Sequence, residues 1–308
     1  MDAVTRPVRT FPWLQLGLFL TTVGTTFLVG SALTPEGSDP VREGLRFSGA
    51  LLSILLVHEM GHFVTARLHG VDVTWPYFIP APFGVGTLGA VIRMKAPIPT
   101  RRAVLDIGAS GPIAGFLVAL PILAWGLAHS EVHALADLGP TQTLSPSPVG
   151  MLWRFLHGEA VFGPGDGLIS FGDSLVMRGA EWLVLGRVPD GSEVLIHPVA
   201  LAAWVGLLVT TLNLLPVGQL DGGHIAFALL GAKRARRVGE LASWALLAAG
   251  LLLSWSWLVW WLITRKVIGL GHPPPIVEEP SLGGWRLAVA AASLAVLVGT
   301  FVPVPVSM

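Results

Sequence analysis

His58-Glu59-Met60-Gly61-His62 holds the residue types of this chain best suited to chemistry. On a helix, two histidines four positions apart stand one turn apart on the same face. There both imidazoles can ligate one zinc ion, and the glutamate beside the first can serve as general base. The five residues lie inside an apolar run long enough to be a membrane span. An ionisable cluster is costly to bury in such a setting, so its presence marks a functional site. Taken without that setting, the motif also reads as two metal-free histidines on a helix surface.

A catalytic zinc takes three protein ligands and keeps a fourth position open. The chain has no cysteine, so the third ligand must be a histidine or a carboxylate. The best candidate is Asp221, in Asn213-Leu214-Leu215-Pro216-Val217-Gly218-Gln219-Leu220-Asp221-Gly222-Gly223-His224. Pro216 removes a backbone donor and breaks the helix, and the neighbouring glycines let Asp221 turn inward. Asn213 can donate to an oxyanion in a transition state. Asn213 as an interhelical hydrogen bond and Asp221 as a helix cap are the competing readings. His224 is an alternative ligand, although a polar interface residue is the plainer account of it. Asp106 reads as a cap or cavity lining at the head of a span packed through Gly108, Gly111 and Gly115. His69, His129, His133, His157, His197 and His272 fall in loops or at span ends and need no metal.

The elements that must position these groups are membrane helices. The sequence is 53% hydrophobic and only 12% charged, about half the charged share of a soluble domain. Its net charge is zero, which gives no reason to expect a nucleic-acid partner. Apolar runs at 13–33, 47–68, 103–128, 198–215 and 285–302 each fit a span of about 20 residues. The first reads as a retained span, not a cleaved signal peptide. The run at 241–270 is long for one span, and Ser254-Trp255-Ser256 near its middle suggests a hairpin. That makes about seven spans, with six as the alternative. With the hairpin, Arg6 and Arg9, the cluster from Arg67 to Arg102, the cluster from Lys233 to Arg237, and Arg265 with Lys266 all fall on one side. That side is predicted to be cytoplasmic. The other side is acidic, with Glu36, Asp39 and Glu43 in one segment. Glu131, Asp137, Glu159, Asp166, Asp173, Glu181, Asp190 and Glu193 lie in the 129–197 loop. The site residues fall in the cytoplasmic half, and the C-terminus falls outside.

The 129–197 loop is rich in Gly, Pro and Ser and reads as a small, partly irregular cap. Residues 72–100 are β-prone and broken by proline and glycine. They follow the HExxH helix directly and predict a short hairpin re-entering the membrane beside the site. Irregular backbone is tolerated at that depth only when protein or a wet cavity surrounds it. Three units follow: 1–46 with the first span, 47–231 as a catalytic core, and 232–308 with the last spans. The fold class expected is an all-α polytopic membrane protein carrying one short β segment.

These motifs together resemble the site-2 protease family of intramembrane zinc metalloproteases. The resemblance rests on His58-Glu59-Met60-Gly61-His62 and on Asn213-x-x-Pro216 with Asp221-Gly222 in a later span. Gly86-Thr87-Leu88-Gly89 and Gly111-Pro112-Ile113-Ala114-Gly115 support it. Residues 47–231 carry it, and the spacing is similar to the compact bacterial and plastid branch, including the proline-rich turn at 272–275. It implies one Zn²⁺ held by His58, His62 and Asp221, with Glu59 as general base. It also implies that the 72–100 segment pairs with an unwound substrate strand. The pattern departs from larger members in having no PDZ-like insertion in the 129–197 loop and no nucleotide-binding domain after the last span.

The function expected is therefore cleavage of peptide bonds within or near transmembrane segments of other membrane proteins. The expected setting is a bacterial inner membrane, with the N-terminus and the site facing the cytoplasm. A second zincin type would need a glutamate ligand downstream, but Glu240 sits at a boundary. A metal-dependent transporter or an inactive chaperone of the same fold is the non-proteolytic alternative. A transporter would show repeated half-structures, and the sequence has no internal repeat.

Overall fold

The computed structural model describes residues 11–34, 37–134, 147–158, 170–271 and 282–307. Arg6 and Arg9, Glu36, Asp137, Glu159, Asp166, His272 and the 272–275 turn lie outside the described residues. In chain order the elements are α1 (Trp13–Ala32), α2 (Pro40–Leu68), β1 (Tyr77–Pro80), β2 (Thr87–Val91), α3 (Arg101–Ala128) and β3 (Glu131–Ala134). They continue with α4 (Pro148–Leu156), β4 (Ser170–Phe171), α5 (Leu175–Leu185), β5 (Ser192–Leu195), α6 (Pro198–Leu214) and α7 (Asp221–Leu252). The last are α8 (Ser256–Ile263), continued by a π-helical turn at Thr264–Ile268, α9 (Gly284–Thr300) and β6 (Val306–Ser307).

Among the described residues, three helices are long and apolar enough to cross a membrane: α1, α2 and α3. The helices α6 and α9 are apolar but shorter. Their ends follow local chemistry. The Asp39 side chain accepts from Val41 N–H with Pro40 at the first position, so α2 begins ahead of the apolar run at 47. Glu43 and Arg46 are thereby helical residues, not part of an outer loop. The Thr100 side chain accepts from Ala103 N–H and caps α3.

The helices α2, α3 and α6 make the centre. Phe47, Leu51 and Leu55 of α2, Leu123 and Leu127 of α3, and Ala200 to Ala203 of α6 are buried together. Close approach uses small residues. A Cβ added at Gly206 of α6 would lie 2.8 Å from the Ile54 side chain of α2. Around this centre the outward faces carry exposed Trp13, Leu20, Leu28, Leu117, Trp244 and Leu294, a surface suited to lipid.

The β-prone segment forms an antiparallel pair, Tyr77 opposite Val91 and Phe78 opposite Ala90. A further bridge joins Val73 to Met94. Its turn packs on the second half of α1, where a Cβ at Gly86 would lie 2.5 Å from Thr26 Cα. Gly86 sits at φ 86°, a conformation open to glycine. The Phe78 ring meets Phe19 of α1 edge-on at 5.0 Å. Trp75 stacks on Phe63 of α2 at 4.9 Å.

The expectation of one β segment needs correction. Two more antiparallel pairs occur, β3 with β5 and β4 with β6. Both involve the 129–197 loop, and the second brings Val306 against Phe171. They are too short to show a strand period. The run at 241–270 does turn back on itself, with α7 ending at Leu252 and α8 starting at Ser256. Helix α7 is itself interrupted at Gly231, where φ 76° and ψ 168° leave the helical region.

Candidate active site

Four elements converge at the site. His58, Glu59 and His62 come from the C-terminal half of α2, Asn213 from the last turn of α6, and Asp221 from the first residue of α7. The strand β2 closes one side. Helix α6 stops at Leu214 ahead of Pro216, as the sequence led us to expect. Residues 215–220 then form a tight turn, with Gly218 at φ 53°. A side chain at Gly222 would collide with the Leu214 carbonyl, so glycine is required for α7 to start that close to the end of α6. The first ten residues of α7 end at the Gly231 break, where Arg101 donates to the Ala228 carbonyl at 2.5 Å. A guanidinium at a helix C-terminus satisfies a free carbonyl and suits the helix dipole.

The nitrogen Nε2 of His62 lies 3.2 Å from Nε2 of His58. The Asp221 Oδ2 lies 3.4 Å from the first of these histidines and 3.3 Å from the second. Among the described residues this is the one group of His, Cys, Asp and Glu whose ligand atoms all fall within 4.8 Å of one another. His58 and His62 are buried, at 3% and 6% exposure. His62 Nδ1–H donates to the Ile107 carbonyl of α3 at 2.7 Å, which leaves the Nε2 lone pair facing the cluster.

The three separations test the donor set against zinc. Bonds of about 2.0–2.1 Å at tetrahedral angles place ligand atoms about 3.3–3.4 Å apart. The observed edges match, and two imidazoles with one carboxylate are a donor set zinc favours. Asp221 is not the helix cap: Leu220 holds that position with no side-chain capping bond, and Asp221 is the first helical residue, where its charge suits the helix dipole. The Asn213 Nδ2 approaches His58 Nε2 at 3.3 Å, which puts its amide beside the same cluster. Glu59 is buried next to these groups but outside the set of three, as a base beside a ligand would be.

A cavity of about 200 Å³ opens onto the cluster, lined by Glu59, Asn213, Gln219 and His224 on one side and by Ala90, Ile92 and Met94 on the other. Arg93 exchanges hydrogen bonds with Thr74, its N–H going to the hydroxyl and its carbonyl accepting from the amide. Backbone groups alternate along a strand, so those of Ile92 and Ala90 point the other way. There the Ile92 main chain meets the Glu59 carboxylate. The open edge of the hairpin therefore faces the cluster.

Room for the ligands comes from glycine. A Cβ at Gly111 would run into the His62 imidazole, and one at Gly115 would lie 3.2 Å from His58 Cβ. A Cβ at Gly108 would lie 2.7 Å from His224 Cβ. These α3 glycines read in sequence as general helix packing; they clear the site itself. The Ile107 carbonyl and the Ile92 main chain had no signal in the sequence, because backbone groups carry no residue code. Asp106 is not the cap of α3, a position held by Thr100. It is an ion-pair partner, with Arg286 Nη2 at 2.7 Å and His69 Nε2 at 2.9 Å from its Oδ2. His197 likewise stands 3.1 Å from Glu43 at the opposite end of α2.

A family model described as peptidase family M50 matches residues 46–256. Among curated proteins, the probable zinc metalloprotease EGY1, chloroplastic, of Arabidopsis thaliana is 30% identical, covering 98% of this chain and 55% of its own length. The protein of the same name from Oryza sativa subsp. japonica is 31% identical, covering 85% of this chain and 41% of its own. The probable zinc metallopeptidase EGY3, chloroplastic, of Arabidopsis thaliana is 29% identical, covering 90% and 47%. The chain spans about half the length of these relatives or less. No solved structure matches it.

Proposed function

This chain belongs to peptidase family M50, and on that premise we propose that it is an intramembrane zinc metalloprotease. It cleaves peptide bonds within or near transmembrane segments of other membrane proteins. The observation that carries the reading is the triangle of His58, His62 and Asp221 ligand atoms, whose edges of 3.2, 3.4 and 3.3 Å suit one tetrahedral zinc. When bound there, zinc supplies Lewis acidity that makes water a nucleophile near neutral pH. Glu59 accepts the proton and delivers it to the departing amine. Asn213, beside His58, donates its amide N–H to the developing oxyanion. The open edge at Ala90 takes the unwound substrate as an added strand, replacing hydrogen bonds its helix has lost.

The finer parts of the reading rest on sequence pattern. They are six to seven spans, a hairpin re-entering the membrane, and a catalytic unit over 47–231. The N-terminus and the site face the cytoplasm by the distribution of Arg and Lys. A bacterial inner membrane is the proposed setting, although the relatives named above are described as chloroplastic.

The test is cleavage of a model transmembrane substrate by the purified full chain in detergent. Product should form, stop with a zinc chelator, and return when Zn²⁺ is restored in slight excess over chelator. Cleavage indifferent to the chelator, or no cleavage by a zinc-loaded sample, would sink the proposal.

A further inference from the structure

We infer that Asp106, held by Arg286 of α9, is a positioning residue for the His62 ligand. The inference rests on the metal reading of the site. The Asp106 side chain is 9% exposed and that of Arg286 is 15%. Arg286 Nε donates to Oδ1 at 2.8 Å and Nη2 donates to Oδ2 at 2.7 Å, a two-point contact that fixes the plane of the carboxylate. The guanidinium is itself held, with Nη1 donating to the Leu282 carbonyl at 3.3 Å and its face lying 4.3 Å from the Trp285 ring centre. A buried ion pair of this quality must offset the desolvation of both charges, and α3 does not need it for capping, since Thr100 does that.

What the pair controls is the next residue. The Ile107 carbonyl accepts from His62 Nδ1–H at 2.7 Å and from the Ser110 hydroxyl at 2.9 Å. Asp106 and Ile107 are consecutive on α3, so any roll or slide of that turn moves both. Helix α2 is tied to this turn twice, through His62 to Ile107 and through His69 Nε2 to Asp106 Oδ2 at 2.9 Å. The third anchor comes from α9, which lies outside the 47–231 core and contributes none of the cluster atoms. Three helices are thus locked around the carbonyl that sets the tautomer and direction of a ligand imidazole.

Arg286→Gln, Asp106→Asn and the double variant separate positioning from mere support. The double variant leaves no unpaired charge, so it keeps the test alive if either single change prevents folding. Arg286→Lys keeps the charge without the planar contact. Each full-length protein in detergent is loaded with Co²⁺ to read the visible ligand-field bands, and with Zn²⁺ to read metal loss to a chelating dye. Thermal unfolding is followed in parallel. We expect zinc loss to be about 10- to 100-fold faster and the cobalt bands to shift in all folded variants, with Arg286→Lys restoring only part. Unchanged cobalt bands and zinc loss in a folded Arg286→Gln or double variant overturn the positioning role. Wild-type protein that takes up neither metal overturns the metal reading, and the inference with it.

Discussion

The Thr25 hydroxyl of α1 donates to the Gly86 carbonyl at 2.6 Å, fastening the tip of the β-hairpin to the first helix. Strand β1 lies against α1 through Phe78 and Phe19, so the hairpin has one covered side and one open side. The open side is β2, which faces Glu59 and the histidines.

Proline therefore has different effects at neighbouring positions of 85–94. Ala90→Pro removes an N–H that points to the open edge, so zinc content and unfolding temperature should stay near wild type. Cleavage should slow roughly 2- to 10-fold, matching one lost hydrogen bond of about 0.5–1.5 kcal/mol. Val91→Pro falls opposite Tyr77 within the pair and should lower stability as well. A complete proline scan that leaves every cleavage rate unchanged would exclude strand addition here.

Glu59→Gln should keep the fold and the zinc while cleavage falls by about 10²- to 10⁴-fold, the range for loss of a general base. Metal analysis alongside the assay separates base from ligand. A zinc-free Glu59→Gln protein would make Glu59 part of the ligand set.

Asp221→Ala should lose both metal and activity, because its Oδ2 is the carboxylate apex of the triangle. His224→Ala should retain zinc at close to one per chain. If the second variant is the one that loses its metal, the assignment of the third ligand is reversed.

Gly111→Ala should be far worse than Gly115→Ala. The first methyl collides with the His62 ring, whereas the second meets His58 Cβ at 3.2 Å and can be absorbed by small shifts. Overpacking of the first kind costs about 1–3 kcal/mol, read as a lowered unfolding temperature together with weakened zinc retention. Equal behaviour of the two variants would count against the clearance argument.

In the 129–197 segment, burial and the nearby Asp173 raise the Glu181 carboxyl from its ordinary value of 4.5 to about 7. An acid raised in the folded state binds its proton more tightly there than when unfolded. Its effect on stability is thus most favourable at acid pH and declines as pH rises from about 4.5 to 7. Between pH 5 and 7.5 the wild-type unfolding temperature should drop more than that of Glu181→Gln. Parallel curves for the two proteins would show that Glu181 contributes no such dependence.

What the sequence revealed follows from distance along the chain. His58 and His62 are four residues apart on one helix, so their shared face is a local fact. The break at Pro216 and the start of α7 near Asp221 are local as well. The Asp106–Arg286 pair joins residues 180 positions apart, and nothing near either residue announces it. The same holds for β4 and β6, two residues each, whose pairing depends on the chain returning from α9. The start of α2 at Pro40 was signalled by Asp39 and proline. Arg42, Glu43 and Arg46 interrupt the hydrophobic run there, so hydropathy alone places the span from 47.

The interruption at Gly231 separates two mechanical jobs within α7. A continuous helix behaves as a rod and carries a tilt at one end to the other. Here the ten-residue piece bearing Asp221 is fixed at its far end by Arg101, while the longer arm beyond Gly231 packs with α8. With the helix axis broken at Gly231, the direction of the Asp221 carboxylate follows from the short piece and its Arg101 anchor rather than from the long arm.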